Sequence, residues 1–349
     1  MIFLVKIRNG DDIMHKIDLK KYEIRTDMAL DLMEKSTNDF KINNYEKEGV
    51  KVSWLELDEN NILNKKKGTY LTLEFEDVTD DDSKNIVSSV FKEELEKILK
   101  KEGFNKNTKT VVIGLGNRKS TPDALGPFVS EKIIVTKHFF DMNVRVEDNF
   151  TSVASFYPGV TGTTGIETSD LIKGVISEVN PDMVIVVDAL SSTSISRVNK
   201  SIQVTNAGIS PGSGIGNKRK EISKQTLNIP VIAVGIPTVL NAAVIVRDTI
   251  NYMIKNYAYN KSFKDKKASK LVTKTVNYIN KEVEASEEDK KTLLGLVGLL
   301  SEEELTNLIY EVLTPIGYDL MVTPKEIDFL IEKLSDVISY GINQTLHFL

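Results

Sequence analysis

Between residues 110 and 257, short and almost wholly apolar runs alternate with amphipathic stretches, and this alternation restricts the fold more than any other feature. Val111-Val112-Ile113-Gly114-Leu115, Met183-Val184-Ile185-Val186-Val187 and Pro230-Val231-Ile232-Ala233-Val234 carry no polar side chain. A strand that is apolar at every position is covered on both faces, the pattern of a parallel sheet between helix layers. The stretches between supply the helices. One opens at Thr121-Pro122, with Pro where the N–H has no intrahelical partner anyway, and carries Leu125, Val129, Ile133 and Ile134. A second begins at Thr168-Ser169-Asp170, and a third runs from about Asn241 to Tyr257. The expected fold class is α/β, a mostly parallel sheet flanked by helices.

The flanks carry weaker signals. Residues 1–45 are charged and lack a sustained period, and Met14 is an alternative start. Alternation over Val50–Leu57 and Thr69–Phe75 predicts two strands. Asp80-Asp81-Asp82-Ser83 then caps a helix to about Lys101, whose Ile86, Val87, Val90, Phe91, Leu95, Ile98 and Leu99 recur at helical spacing. Residues 258–286, with their Lys-rich run, are the best linker or mobile loop. Residues 287–349 hold peripheral C-terminal helices, one behind Ser301-Glu302-Glu303-Glu304 and one behind Thr323-Pro324-Lys325-Glu326.

Composition removes most routes to chemistry. The chain has no Cys, so thiol catalysis, disulfides and thiolate metal sites are excluded. Its three histidines, His15, His138 and His347, show no metal-ligand spacing, and neither His15, in a charged stretch, nor His347, near the C-terminus, is an attractive base for a triad. A net charge of −5 argues against binding nucleic acid by overall charge. The apolar opening Met1–Val5 is too short for a signal peptide or a membrane span, so a soluble cytoplasmic protein is expected.

Four features remain. Gly114-Leu115-Gly116 resembles the start of a dinucleotide fingerprint but lacks the third glycine, and serves better as a tight turn. The glycine-rich loop Gly208–Lys220 ends in three cations and could cradle a phosphate or meet an acidic polypeptide, or be an ordinary surface loop. Gly159–Asp170 is rich in glycine and hydroxyls ahead of a helix and could line a substrate cleft, or simply be a turn and cap. Asp123 and Asp188 follow two of the apolar strands, and so arrive at the sheet edge where α/β proteins bind ligands. Each has a structural explanation, a helix first turn for Asp123 and a cap for Asp188. Together they could share a proton, one removing a proton from water while the other donates to the scissile group. That mechanism needs no metal, thiol or imidazole.

Taken together, the motifs resemble a known family. Gly114–Asn117, Thr121–Pro127, Pro158-Gly159-Val160, Thr164–Asp170, Asp188-Ala189-Leu190, Pro211–Lys220, Gly235–Val239 and Leu320–Glu326 resemble the germination proteases of spore-forming bacteria, over nearly the whole chain. The resemblance implies a fold like that of hydrogenase maturation endopeptidases and an activity attributed to two aspartates, which fall on Asp123 and Asp188. It implies an endopeptidase of the spore core that begins digestion of small acid-soluble spore proteins at germination, assembles as a homotetramer, and needs neither nucleic acid nor membrane. Asn117, Glu167, Thr168 and Asp170 become substrate-cleft candidates, with no cofactor and no metal. A metal-dependent peptidase related to the hydrogenase maturation enzymes is the alternative, and a nucleotide-binding module a more distant one. The resemblance also implies a self-processing zymogen, with residues 1–27 as leader and propeptide and 28–349 as the catalytic domain. Tyr22–Ala29 resembles the processing region, with the cut between Asp27 and Met28. Its order of acid, bulky apolar and small residue also resembles the cleavage pattern in the spore-protein substrates.

Overall fold

The structure is a computed structural model and describes residues 26–34, 36, 40–59, 61–212, 219–262, 283–313 and 320–348. The expectations for the leader and Met14, for residues 213–218 of the glycine-rich loop and for 263–282 of the linker lie outside the described residues.

In chain order come α1 (Ala29–Glu34), β1 (Ile42–Lys47), β2 (Val50–Leu57), β3 (Gly68–Glu74), α2 (Asp81–Lys101), β4 (Thr110–Gly114), α3 (Leu125–Glu131), α4 (Lys137–Asp141), β5 (Val153–Phe156), α5 (Thr161–Thr164) and α6 (Thr168–Val179). Then follow β6 (Met183–Ser192), β7 (Ser201–Thr205), α7 (Lys224–Leu227), β8 (Val231–Asn241), α8 (Ala242–Ser262), α9 (Glu287–Leu294), α10 (Glu302–Leu313), β9 (Met321–Val322) and α11 (Ile327–Leu346). Of the described residues, 26–244 and 321–348 make one compact unit, and 245–313 with 320 make a second. No helix among the described residues is long and apolar enough to cross a membrane.

The first unit is built on one sheet, ordered β1-β2-β3-β7-β8-β6-β4-β5, with β9 against β8. The β8-β6-β4-β5 half is parallel. The remaining pairings are antiparallel. The α/β class is as expected, but the sheet is mixed, because residues 42–74 and 201–205 add an antiparallel wing. Alternation predicts β2 and β3 but not β1, and does not say which strands pair.

The apolar strands are covered on both sides, as their composition requires. Val112, Ile185, Val187, Ile232 and Val234 pack with Phe91, Leu95 and Ile98 of α2 and with Ile331, Leu334 and Ile338 of α11. Val111, Ile113, Val184, Val186 and Val231 face the other way, onto Ile172 and Ile176 of α6. The alternation of faces along each strand is the period of two that a pleated backbone imposes. α11 lies in this core rather than at the periphery, with Leu334, Val337, Ile338 and Ile342 all fully buried. At its C-terminal end His347 is buried; one ring nitrogen bonds to the Ile134 carbonyl and the other takes the Thr151 N–H, and burial lowers its pKa.

Several boundaries move. The strand ending at Asp188 continues to Ser192, so Asp188 lies within β6 and does not cap the segment beyond it. Thr121–Asp123 form a 3-10 turn, and α3 starts only at Leu125 and stops before Ile133. α8 continues to Ser262, so the first five residues of the linker are helical. Ser301 and Glu304 exchange the reciprocal backbone hydrogen bonds of a capping box, as their spacing predicts.

In the second unit, Asn251 of α8 donates to Glu302 of α10 at 3.1 Å, and Lys261 pairs with Asp289 of α9 at 2.5 Å.

Candidate active site

The site forms where β4 ends, beside the middle of β6 and β8. Past β4, Leu115 N–H still bonds to Val187 O at 2.8 Å, which holds the turn against β6. Three glycines then allow the 3-10 turn and α3 to lie directly on the strand ends. A Cβ on Gly114 would come within 2.1 Å of Gly126 O, and one on Gly126 within 2.2 Å of Leu115 O and 2.5 Å of Val187 O. Gly116 has φ +110° and a Cβ there would sit 2.0 Å from Asp123 O. Gly114 and Gly116 are the pair that resembles a dinucleotide fingerprint; with Gly126, their work is to bring Asp123 onto the edge.

Asp123 is half-buried. The Asn117 N–H donates to its Oδ2 at 2.9 Å, a contact that favours the ionised form, yet burial dominates and raises its pKa. The turn is clamped from β8, where the Thr238 hydroxyl donates to Pro122 O at 2.6 Å; Thr323 donates in turn to Thr238 O at 2.8 Å. Asn117 contributes its backbone to Asp123, while its side-chain oxygen accepts from Lys119 N–H and shapes the turn.

Asp188 pairs across the sheet with Gly235 of β8 and is only 6 % exposed. Its Oδ1 accepts from the Ala189 N–H at 2.9 Å. Burial raises its pKa well above the usual carboxylate range, and the charges of Asp123 and Asp27 raise it further. The structure thus brings the two aspartates into one electrostatic site in which both carboxyls are raised, Asp188 the more strongly.

The third acid, Asp27, belongs to the segment that crosses this edge. Its N–H donates to Ser191 O at 3.1 Å, and its Oδ2 accepts from Ser191 N–H at 2.9 Å and Oγ at 3.2 Å. The carbonyl of Asp27 accepts from Lys65 Nζ at 2.9 Å and from Gln203 Nε2 at 3.1 Å. Gln203 Oε1 accepts from Ala29 N–H at 2.7 Å. Met28 is fully buried. Sequence reasoning missed Lys65, Ser191 and Gln203, which come from three separate elements. Ser191 and Gln203 are polar residues at buried positions and Lys65 is one lysine of a Lys-rich loop, and only tertiary structure joins them.

The other candidates are held by contacts of their own. Glu167 pairs with Arg219 at 3.6 Å and takes a 3.4 Å hydrogen bond from Thr161, with its other oxygen buried and unbonded. Thr168 donates to Gly159 O, and Asp170 pairs with Lys220 at 3.0 Å. The hydroxyl-rich turn and the basic end of the glycine-rich loop therefore hold each other. Among the described residues no three His, Asp or Glu side chains are grouped to hold a metal ion.

Comparison with known proteins places this geometry in context. The sequence profile of the germination protease family matches residues 17–348. The germination protease of Bacillus licheniformis is 43% identical over 353 residues, covering 95% of each chain. That of Oceanobacillus iheyensis is 43% identical over 347 residues, covering 93% of this chain and 95% of the other. Among solved structures, the [NiFe] hydrogenase maturation protease HycI of Thermococcus kodakarensis is 19% identical and covers 41% of this chain and 80% of its own, with a TM-score of 0.28.

Proposed function

Since this chain belongs to the germination protease family, and is thereby a peptidase of spore germination, we propose that it hydrolyses its targets with Asp123 and Asp188 acting on a water. Asp188, held neutral, is the acid that protonates the leaving nitrogen. Asp123, whose ionised form takes the Asn117 N–H, is the base that receives the proton of the attacking water. The two titrate as a coupled pair, so a pH profile reports both together. The observation that carries this reading is the buried carboxyl of Asp188 on the same strand as Ser191, which holds the segment expected to be cut; burial raises its pKa, and the charges of Asp123 and Asp27 raise it further.

The same reading makes the chain a zymogen that cuts its own Asp27–Met28 peptide, then digests small acid-soluble spore proteins in the spore core as a homotetramer. The hydrogen bonds that seat Asp27 against Ser191 at the edge carrying Asp188 support the first of these. The test tracks the full chain by mass spectrometry, for loss of residues 1–27 and for cleavage of an added small acid-soluble spore protein. Asp123→Asn and Asp188→Asn should each lose both activities; parental activity in either variant refutes the paired-acid mechanism.

A further inference from the structure

Building on the assignment of Asp27–Met28 as the scissile peptide, we propose that Lys65 and Gln203 are further catalytic residues, which receive the negative charge on the carbonyl oxygen during hydrolysis.

Three observations converge. The Asp27 carbonyl oxygen takes two side-chain donors, Lys65 Nζ at 2.9 Å and Gln203 Nε2 at 3.1 Å, from the β2–β3 loop and from β7. Two donors from separate elements, one cationic, meeting on one peptide oxygen is the arrangement that stabilises an oxyanion. Second, the Gln203 amide also accepts from Ala29 N–H at 2.7 Å. One planar group thus brackets the peptide on both sides of Met28 and fixes the direction of the carbonyl. Third, the strand register sets Gln203 opposite Gly235, and Gly235 opposite Asp188. Residues in one lateral row face the same side of a sheet, so acid and donor share a face with one strand between them, roughly 10 Å apart at the backbone. Lys65 is half-buried; burial lowers its pKa, while the charges of Asp27 and Asp31 oppose that. A cation poorly supplied with water gains most from charge that develops beside it.

The step balances. The water oxygen bonds to the Asp27 carbonyl carbon and its proton passes to the Asp123 carboxylate. The carbonyl π pair moves onto oxygen, where Lys65 and Gln203 hold it. Its return expels the Met28 nitrogen, which leaves with the proton of Asp188. The products are a carboxyl at Asp27 and an amine at Met28. A protein substrate presents the corresponding carbonyl to the same two donors.

The experiment measures the first-order rate of the Asp27–Met28 cut in the full chain, with melting temperature recorded for each variant. Gln203→Glu keeps an acceptor for Ala29 N–H but removes the donor, and Lys65→Met removes the cation at similar length. Each should slow the cut roughly 100- to 1000-fold. Lys65→Arg, which keeps a cationic donor, should recover most of that loss. If Gln203→Glu melts early, Lys65→Met with its Arg rescue decides. Rates within about 3-fold of the parent in both variants, a factor worth well under 1 kcal/mol, overturn the inference and leave the processing reading intact. Absence of the cut in the parent chain overturns both.

Discussion

At the residue scale, the proton on Asp188 links activity to stability. Its pKa in the fold lies well above the ordinary carboxylate value, first through burial and then through Asp123 and Asp27. The folded state therefore binds that proton more tightly than the unfolded chain. The resulting stabilisation is complete below the ordinary carboxylate pKa and is lost as pH rises through the raised value. Asp188→Asn removes the group that must either hold a proton or ionise in a buried site. It should raise the melting temperature at pH 7 and lose that advantage by pH 4. Each pKa unit corresponds to about 1.4 kcal/mol, or about 2 °C for a chain of this size. Calorimetry at the two pH values gives the answer, and equal melting temperatures at pH 7 contradict it. Gly116→Ala moves in the opposite direction. With φ +110° and a Cβ 2.0 Å from Asp123 O, it should cost about 1–3 kcal/mol and misplace Asp123, so both denaturant midpoint and cleavage rate should fall. Asp27→Lys replaces the carboxylate held by Ser191 with a cation beside Lys65. It should slow self-processing at least tenfold, the penalty of roughly 1.4 kcal/mol of like-charge crowding, whereas Asp27→Glu should process. Normal processing of the lysine variant, read by mass, removes the acid from the recognition of this junction.

At the element scale, a buried ion network docks α1. Arg197 is 5 % exposed and donates to Asp31 at 2.7 Å and to Glu74 at 2.9 Å, and it also pairs with Glu34. Burial works to raise the pKa of Asp31, but the Thr193 N–H, the Thr26 hydroxyl and Arg197 together lower it. Arg197→Met would leave that carboxylate buried without its cation, a loss of about 3–5 kcal/mol. Urea unfolding should report it, and the Asp27–Met28 cut should slow because α1 begins just after that peptide. Undiminished stability would mean that the hydroxyls and N–H groups around Asp31 suffice alone. The elements that sequence reveals are those whose burial is total: the apolar runs of β4, β6 and β8 are covered on both faces, so they are unmistakable. β1 is hidden because it is an edge strand with exposed Asn43, Asn44 and Glu46, which erase the alternation. α1 is hidden because six residues hold too few turns for a period, and its position depends on Arg197 from far along the chain. Asp123 and Asp188 stood out at strand ends. Lys65 and Gln203 could not, since a lysine in a Lys-rich loop and a glutamine in a strand acquire meaning only when they meet on one oxygen.

At the scale of the whole molecule, the proposed cut changes the charge balance of the site that performs it. Before cleavage, Met28 is fully buried, and the Asp27 carbonyl is a neutral acceptor for Lys65 and Gln203. After it, a new carboxylate appears at Asp27, beside the Asp27 side chain and within the field of Asp188, with Lys65 the cation in contact. A new ammonium appears on Met28, where burial disfavours a charge strongly. Neither end is suited to stay. The N-terminal product should dissociate, and Met28 should draw the start of α1 toward water. The bonds lost with it include Asp27 to Ser191 and Thr26 to Asp31. Hydrogen exchange on the chain before and after processing tests this. Amide protection over residues 29–34 should fall at least tenfold, about 1.4 kcal/mol of local stability. β4, β6 and β8, each covered by helices on both faces, should keep theirs. Unchanged protection at α1 would show that the new termini remain seated and that product release does not open the site.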